Sequence, residues 1–494
     1  MLNIGNRREC FFDDYLLHTE NTTASFRIHE PIQRETVLLH DAPWEGDGCD
    51  FHNLFFDDQY AGADGSHPEG MYRMYYNGWH IATDTDDAAN SVLYICYAES
   101  PDGLHWTKPS LGICEFDGNT DNNIILGQET QITFDCFMVF RDDNPVCPPE
   151  EKYKAILRVE QNGYGLPLCL YAMFSADGLH FHMGRIVTKK GYFDSLNVAF
   201  WDALTGKYRC YFRWHHDKKD TDPPESIRDI RYIESADFVE WTDPVFLDFG
   251  DKEDIPLYTN AVIPYFRAPH IYVGFPSRYI EHKEWTGNFD ELCGVEKRKK
   301  RMEMQPRYGL AITDCAFMCS RDGKKFLRYE EAFMRPAPEN GRNWLYGDCF
   351  PARGMIVTPS AVRGAPDEIS LYVMENHWMG IPTELNRYTI RMDGFVSLHA
   401  DFAEECIVTK PFVFDGSELF SNFSTSARGY IYFILHCDDK IYASCKTFGN
   451  AIDRRVAFMD TEAVRSCAGK KVVLEIRMSD ADIYAIRFGE QEQA

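Results

Sequence analysis

Residues 45–395 repeat a pattern of short aromatic strands separated by acidic turns, and this recurrence limits the fold more than any other feature. The first copy begins at Cys49–Tyr76, where Asp50 precedes an apolar run, a turn-rich interval and the strand YRMYY. Later turns repeat one chemistry: AESPDGLHWTKP at Ala98–Pro109, MFSADGLHF at Met173–Phe181, IESADFVEWTDP at Ile233–Pro244 and CSRDGKKFLRY at Cys319–Tyr329. Asp-Gly between apolar runs is a hairpin signal. Second strands match as well, with YRMYYNGWH (Tyr72–His80) beside YRCYFRWHH (Tyr208–His216), then YKAILRV, IYVGFPSRY and LYVMENHW. Five four-stranded units without helical periodicity predict a five-bladed β-propeller, because radial repetition suppresses exposed edges. Residues 10–18 or Gly394–Leu398 are candidates for the closing strand. Beyond residue 396 the repeat gives way to strand-length segments such as GYIYFILHCDD and KKVVLEIRMSDADIYAIRF, which read as a β-sandwich. The expected class is all-β, with a propeller over 1–395, including an N-terminal lead-in strand at Phe11–Leu17, and a sandwich over 396–494.

Charge narrows the partners. A formal net charge of -26 argues against nucleic acid or an anionic membrane, both of which need a basic footprint, and fits a small neutral saccharide. No apolar run is long enough for a transmembrane helix. Residues 1–10 carry no signal-like apolar region, so a cytoplasmic location is expected. The 16 cysteines are scattered without a CxxC pair, as buried thiols in a reducing compartment would be. Glu281–Tyr308, with KRKKR at Lys297–Arg301, interrupts blade 4. It is expected as a solvated loop or short helix, with a lid or a contact between identical subunits as the alternative.

Strand direction turns these positions into a site. Each inner strand leaves one face of the ring and each second strand returns to it, so inner-strand starts share a face with the loops after second strands. The starts are Asp50, Asp135, Asp194, Asn260 and Asp348. Four carboxylates converging on one axis suit acid–base chemistry, because crowded carboxyls push their pKa values apart. A cation cage is the rival use, and a structural calcium ion in the central channel is kept as an option although no cofactor is expected. The loops add Trp79, His80, Trp214, His215, Arg278, Glu375 and His377, and Trp44 precedes blade 1. Aromatic faces stack on sugar rings, and Asn, His and Arg bond hydroxyls.

With these residues placed, the chain resembles the five-bladed furanoside hydrolases, the invertase-like family 32 and the arabinofuranosidase-like family 43. CDFHNLFFD matches the position of the invertase-like NDPNGLWYD, which implies Asp50 as nucleophile. TFDC at Thr133–Cys136 lies in register with the second motif and implies Asp135 as transition-state stabiliser. FRDD at Phe140–Asp143 is closer in letters but lies at the far end of the strand. FDSLN at Phe193–Asn197 takes the place of the Glu-Cys pair, so Asp194 stands where the family has a glutamate acid, with Glu375 in reserve.

The resemblance implies a glycoside hydrolase acting on a small fructoside or arabinofuranoside. Retention and inversion stay open, since they depend on carboxylate separation. Two other readings stand beside it: a sugar-binding propeller without catalysis, and a glycoside phosphorylase in which Arg213, Arg278 or Arg353 would hold phosphate.

Overall fold

The computed structural model describes residues 1–81, 92–127, 130, 132–160, 166–217 and 226–490. Five small antiparallel sheets form a propeller, as the repeat predicts, and a further sheet forms the sandwich. Blade 1 runs through Asp50–Asp57, Met71–Gly78, Tyr94–Ser100 and Ile124–Leu126, and blade 2 through Phe134–Arg141, Tyr153–Val159, Cys169–Ser175 and His182–Thr188. Blade 3 uses Val198–Asp202, Lys207–Asp217, Ser226–Ser235 and Val245–Phe246, and blade 4 uses Ile263–Tyr265, Ala268–Gly274, Met318–Ser320 and Leu327–Arg328. In blade 5 the inner position is split between Phe350–Pro351 and Ile356–Thr358, followed by Glu368–Glu375 and Glu384–Arg391.

The turn repeat has a structural cause. In SPDG, SADG, SADF and SRDG the serine Oγ accepts the N–H three residues on, from Gly103, Gly178, Phe238 and Gly323, at 2.8–2.9 Å. The aspartate Oδ1 then accepts two successive N–H groups, for example those of Leu179 and His180 at 2.8 and 2.9 Å. The fourth residue is left-handed in every copy, which explains glycine in three of them. These turns also clasp neighbouring blades. Tyr75, Tyr211 and Tyr372 on second strands donate to the carbonyls of Gly178, Gly323 and Gly103, at 3.0, 2.8 and 2.5 Å. Arg73 and Arg209 donate to the carbonyls of Asp177 and Asp322, both at 2.8 Å. A Cβ on Gly178 would stand 2.7 Å from Arg73 Nη1, so close approach as well as its φ of 75° requires glycine there.

Ring closure differs from expectation. The outer strand of blade 5 is Ile32–Leu39, antiparallel to Glu384–Arg391, and neither residues 10–18 nor Gly394–Leu398 supply it. Val396–Ala400 instead pairs with Ser25–Ile28 and Val472–Gly489. The N-terminal lead-in also departs from the propeller. Leu2–Gly5 pairs with Phe412–Phe414, and Arg8–Cys10 with Val472–Gly489. Phe11–Leu17, expected as a strand, is irregular. Ile4, Phe11, Leu16 and Leu17 fill the sandwich core beside Phe414 and Phe488, while Phe12 enters the blade 4 and 5 core beside Tyr265 and Phe317. Burial of these side chains on both sides of the junction is what draws the lead-in away from the ring.

The sandwich is dominated by the long antiparallel pair Glu418–Cys437 and Val472–Gly489. No helix among the described residues is long and apolar enough to cross a membrane. The cysteines are free thiols, most of them buried.

Candidate active site at the propeller axis

Inner strands deliver their first residues to the axis through backbone kinks. Phe51, Cys136, Ala261 and Cys349 each follow an inner-strand start and have φ of 53°, 57°, 44° and 54°. Non-glycine residues held there cost about 1–3 kcal/mol each, and such strain gathers at functional sites. In blade 3 the left-handed residue is Phe193 (φ 59°), which precedes Asp194. That one-residue shift sets Asp194 apart: its side chain is 45% exposed, whereas Asp50 is 4% exposed.

Asp50, Asp135 and Asp194 line one cavity of about 290 Å³, at the lower end of ligand-pocket sizes. Asn77 lies directly across the strand pair from Asp50. Its Nδ2 donates to Asp50 Oδ1 at 2.9 Å and to Asp135 Oδ1 at 2.8 Å. Asp135 also accepts the Cys136 N–H at 2.5 Å. Asp194 accepts from Arg213 Nη1 at 2.7 Å, and Arg158 Nη1 lies 3.9 Å from its other oxygen. Burial, then the Asp135 charge, holds the Asp50 carboxyl well above the usual carboxylate range. Burial, then the Asp194 charge, raises Asp135 to about 6. Asp135 is half-buried and lines the cavity.

An aspartate raised from 3.8 to about 6 favours the fold at low pH, and that contribution is lost as pH climbs through 6. Asp135→Asn is therefore expected to stabilise the chain by about 1–3 kcal/mol at pH 7.5 and by little at pH 4. Denaturation midpoints at the two pH values check this; destabilisation at pH 7.5 contradicts it.

Aromatic side chains wall the cavity. Trp79, Trp378, Tyr258, Tyr279, Tyr308 and Tyr346 line it together with His377. Tyr346 donates to Tyr258 Oη at 3.1 Å and packs 5.3 Å from the His377 ring. Burial, then Arg301, pushes His377 down to about 3, so it is neutral at physiological pH. Trp79 Nε1, Trp378 Nε1 and His377 Nδ1 are buried without a protein partner. Such groups carry a penalty of about 1–3 kcal/mol each that a ligand with many hydroxyls can relieve.

The other residues singled out from sequence lie elsewhere. Trp44 packs against Phe116 and donates to Asn123 at 2.7 Å. His80 lies against Asp47, 2.8 Å away. Trp214 sits under Arg231 instead of facing the cavity. His215 stands behind the wall, accepting from Arg213 at 3.0 Å. Arg278 is held by both oxygens of Asp314 at 2.5 Å, on a ribbon formed by Ser277–Glu281 and Ala311–Cys315. Asn260 staples blades by donating to the carbonyls of Leu196 and Tyr211, as Asn53 does between blades 1 and 2. Asp348 is buried and caps its own turn through the Leu345 N–H at 2.7 Å. Glu375, the reserve acid, accepts from Gln33 and Tyr388 at 3.0 and 3.2 Å, facing the outer strand of blade 5. Strand register is the only sequence signal for these side chains, and register does not reveal the kinks that select which residues reach the axis.

The insertion contributes what sequence reasoning left undecided. Its helix Val295–Met304 is anchored by Arg298, which donates to the carbonyls of Cys293 and Gly309, and by Arg301, 4.5 Å over Trp378. Met304, Arg307 and Tyr308 thereby reach the cavity wall. Burial of Arg298 and Arg301 inside a charged run is the departure from a solvated loop.

Asp135, Cys136 and Asp194 bring one donor atom each within 4.8 Å of one another. Calcium takes about six to eight oxygens. Two carboxylates already hydrogen-bonded and one thiol do not fit the calcium ion considered from sequence.

No protein-family profile and no curated protein matches this chain. Solved structures overlap it weakly. An N-acetylgalactosamine deacetylase from F. plautii aligns with TM-score 0.44 and 10% identity over 76% of this chain and 96% of its own. A fructofuranosidase from Schwanniomyces occidentalis aligns with TM-score 0.37 and 10% identity, over 94% and 98%. An α-L-arabinofuranosidase from Fusarium graminearum aligns with TM-score 0.37 and 11% identity, over 90% and 98%.

Proposed function

We propose that this chain is a glycoside hydrolase cleaving a small furanoside, a fructoside or an arabinofuranoside. The observation that carries the reaction class is the convergence of Asp50, Asp135 and Asp194 on one aromatic-walled cavity. The furanoside preference follows from the motif resemblance of CDFHNLFFD and TFDC. Asp194, half exposed, protonates the leaving oxygen as the glycosidic C–O bond breaks. Asp50 attacks the anomeric carbon directly or deprotonates the attacking water. Asp135 bonds sugar hydroxyls and offsets the oxocarbenium-like charge.

One contact favours a second reading of the acid. Arg213 donates to Asp194 at 2.7 Å, while Asp50 and Asp135 share the Asn77 amide and are both raised. In that reading the proton resides on the Asp50–Asp135 pair bridged by Asn77, and Asp194 stabilises charge instead.

Leaving-group dependence separates the two. With Asp194 as acid, Asp194→Asn keeps most activity on dinitrophenyl glycosides, whose leaving group needs no proton, and loses roughly 10²–10⁴-fold on alkyl glycosides. An equal loss on both substrate types moves the acid to the pair.

The pair also sets the pH profile. Asp50 must be ionised to act, and burial and the Asp135 charge raise it, so the acid limb of kcat/KM lies well above the ordinary carboxylate value of about 4. Asp135→Asn removes the charge that raises Asp50 and shifts the limb downward. A limb that stays in place in this variant contradicts the coupling.

A further inference from the structure

Three guanidinium groups, of Arg213, Arg228 and Arg307, line the same cavity as the carboxylates. Arg213 and Arg228 come from the second and third strands of blade 3, where His215 and Arg228 are cross-strand partners. Arg307 comes from the blade 4 insertion. Their surroundings differ. Arg213 is matched by Asp194 at 2.7 Å. Arg228 is 6% exposed, donates through Nη1 to Glu281 at 3.1 Å and lies 4.0 Å over the Tyr279 ring, but its buried Nε has no protein partner. Arg307 donates through Nε to the neutral Gln305 at 2.9 Å and lies 5.1 Å over the Tyr308 ring; Glu281 acts on it at longer range, and no carboxylate among the described residues forms a salt bridge with it. The fields of all three overlap at His215, which burial and these arginines hold down to about 4. Neutral His215 adds no charge of its own at neutral pH.

This cationic wall stands against the net charge of -26 that pointed to a neutral substrate. A planar guanidinium with free donors, desolvated beside an aromatic ring, matches the geometry of an oxyanion. Glu281 is the acidic group nearest Arg228; it is 42% exposed and lies outside the cavity lining.

We infer that Arg228 and Arg307 form an oxyanion subsite within the cavity, taking either a carboxylate carried by the sugar or free inorganic phosphate beside it. The inference rests on the cavity being the glycoside site proposed above. With a sugar carboxylate, the substrate is a uronoside, and phosphate only competes. With free phosphate, a phosphate oxygen bonds to the anomeric carbon as the glycosidic C–O bond breaks, the leaving alcohol takes the proton, and a sugar phosphate accumulates.

Calorimetric titration of the full chain tests this with inorganic phosphate, galacturonate and glucuronate against galactose and glucose. The expected result is at least tenfold tighter binding of one oxyanion probe than of the neutral sugars, weakening as salt rises. Arg307→Gln, at a half-exposed position, should abolish that difference, and Arg228→Lys, which keeps the charge but loses the planar fork, should reduce it. Oxyanion probes that bind no better than neutral sugars, or a preference unchanged in both variants, overturn the subsite. Which probe binds, and whether sugar phosphate forms, separates the two sources. Arginine-dependent oxyanion binding without cleavage of any glycoside leaves the subsite standing and overturns the reaction class. Cleavage of neutral glycosides without oxyanion preference does the reverse.

Discussion

Asp50→Asn is expected to lower kcat/KM by roughly 10⁴-fold while leaving the chain folded. The asparagine oxygen still accepts from Asn77, so that hydrogen bond survives. What disappears is the carboxylate proposed to act at the anomeric carbon. Burial of Asp50 beside Asp135 also disfavours its charged form, so its removal relieves the fold. The melting temperature should hold or rise slightly. Steady-state kinetics alongside thermal melts check both parts. Activity within tenfold of wild type would remove Asp50 from the reacting centre.

The second large effect is on stability. Arg73→Met should destabilise the propeller by about 3–5 kcal/mol, as breaking one side of a buried ion pair does. Arg73 is fully buried, donates to Asp57 at 3.1 Å and to the Asp177 carbonyl at 2.8 Å, and lies 4.0 Å over the Tyr60 ring. It ties blade 1 to the turn of blade 2. Removing it leaves Asp57 dependent on Tyr153 and Arg141. Urea denaturation followed by tryptophan fluorescence reads the loss; a midpoint change equivalent to under 1 kcal/mol would contradict the clasp. Arg209, which makes the matching contact to the Asp322 carbonyl, should behave alike.

Much of this architecture could be read from the chain because one local solution is used repeatedly. The Ser-x-Asp-Gly turns combine a serine cap, an aspartate accepting two N–H groups and a left-handed fourth residue, so each leaves the same mark in sequence. Phe238 shows the limit of that signal: it adopts the left-handed conformation without being glycine, because its ring is needed among Phe140, Phe174 and Tyr208. Closure by Ile32–Leu39 was not legible. Pairing of distant segments depends on which edge is left open, and no local residue announces it.

The site was legible in part for the same reason. Asp50, Asp135 and Asp194 follow from strand order, and the structure brings them together with Trp79 and His377. Asn260 and Asp348 occupy equivalent strand starts but are consumed by stapling and turn capping. The sequence pattern places Arg278 in a loop, yet strand pairing continues through it into the ribbon and turns it toward Asp314. Asn77 carries no sequence signal, because its role exists only once two carboxylates flank it. Arg307 and Tyr308 reach the cavity only through the buried anchors Arg298 and Arg301, in a run that looks like solvated charge.

The most direct test of the central claim is an NMR time course of aryl furanosides, aryl pyranosides and short fructans incubated with wild type and with Asp50→Asn. Release of sugar from a furanoside by wild type, absent with the variant, is the predicted result. No release from any member of the panel, together with tight binding of one sugar by calorimetry, would contradict catalysis and make the cavity a binding site.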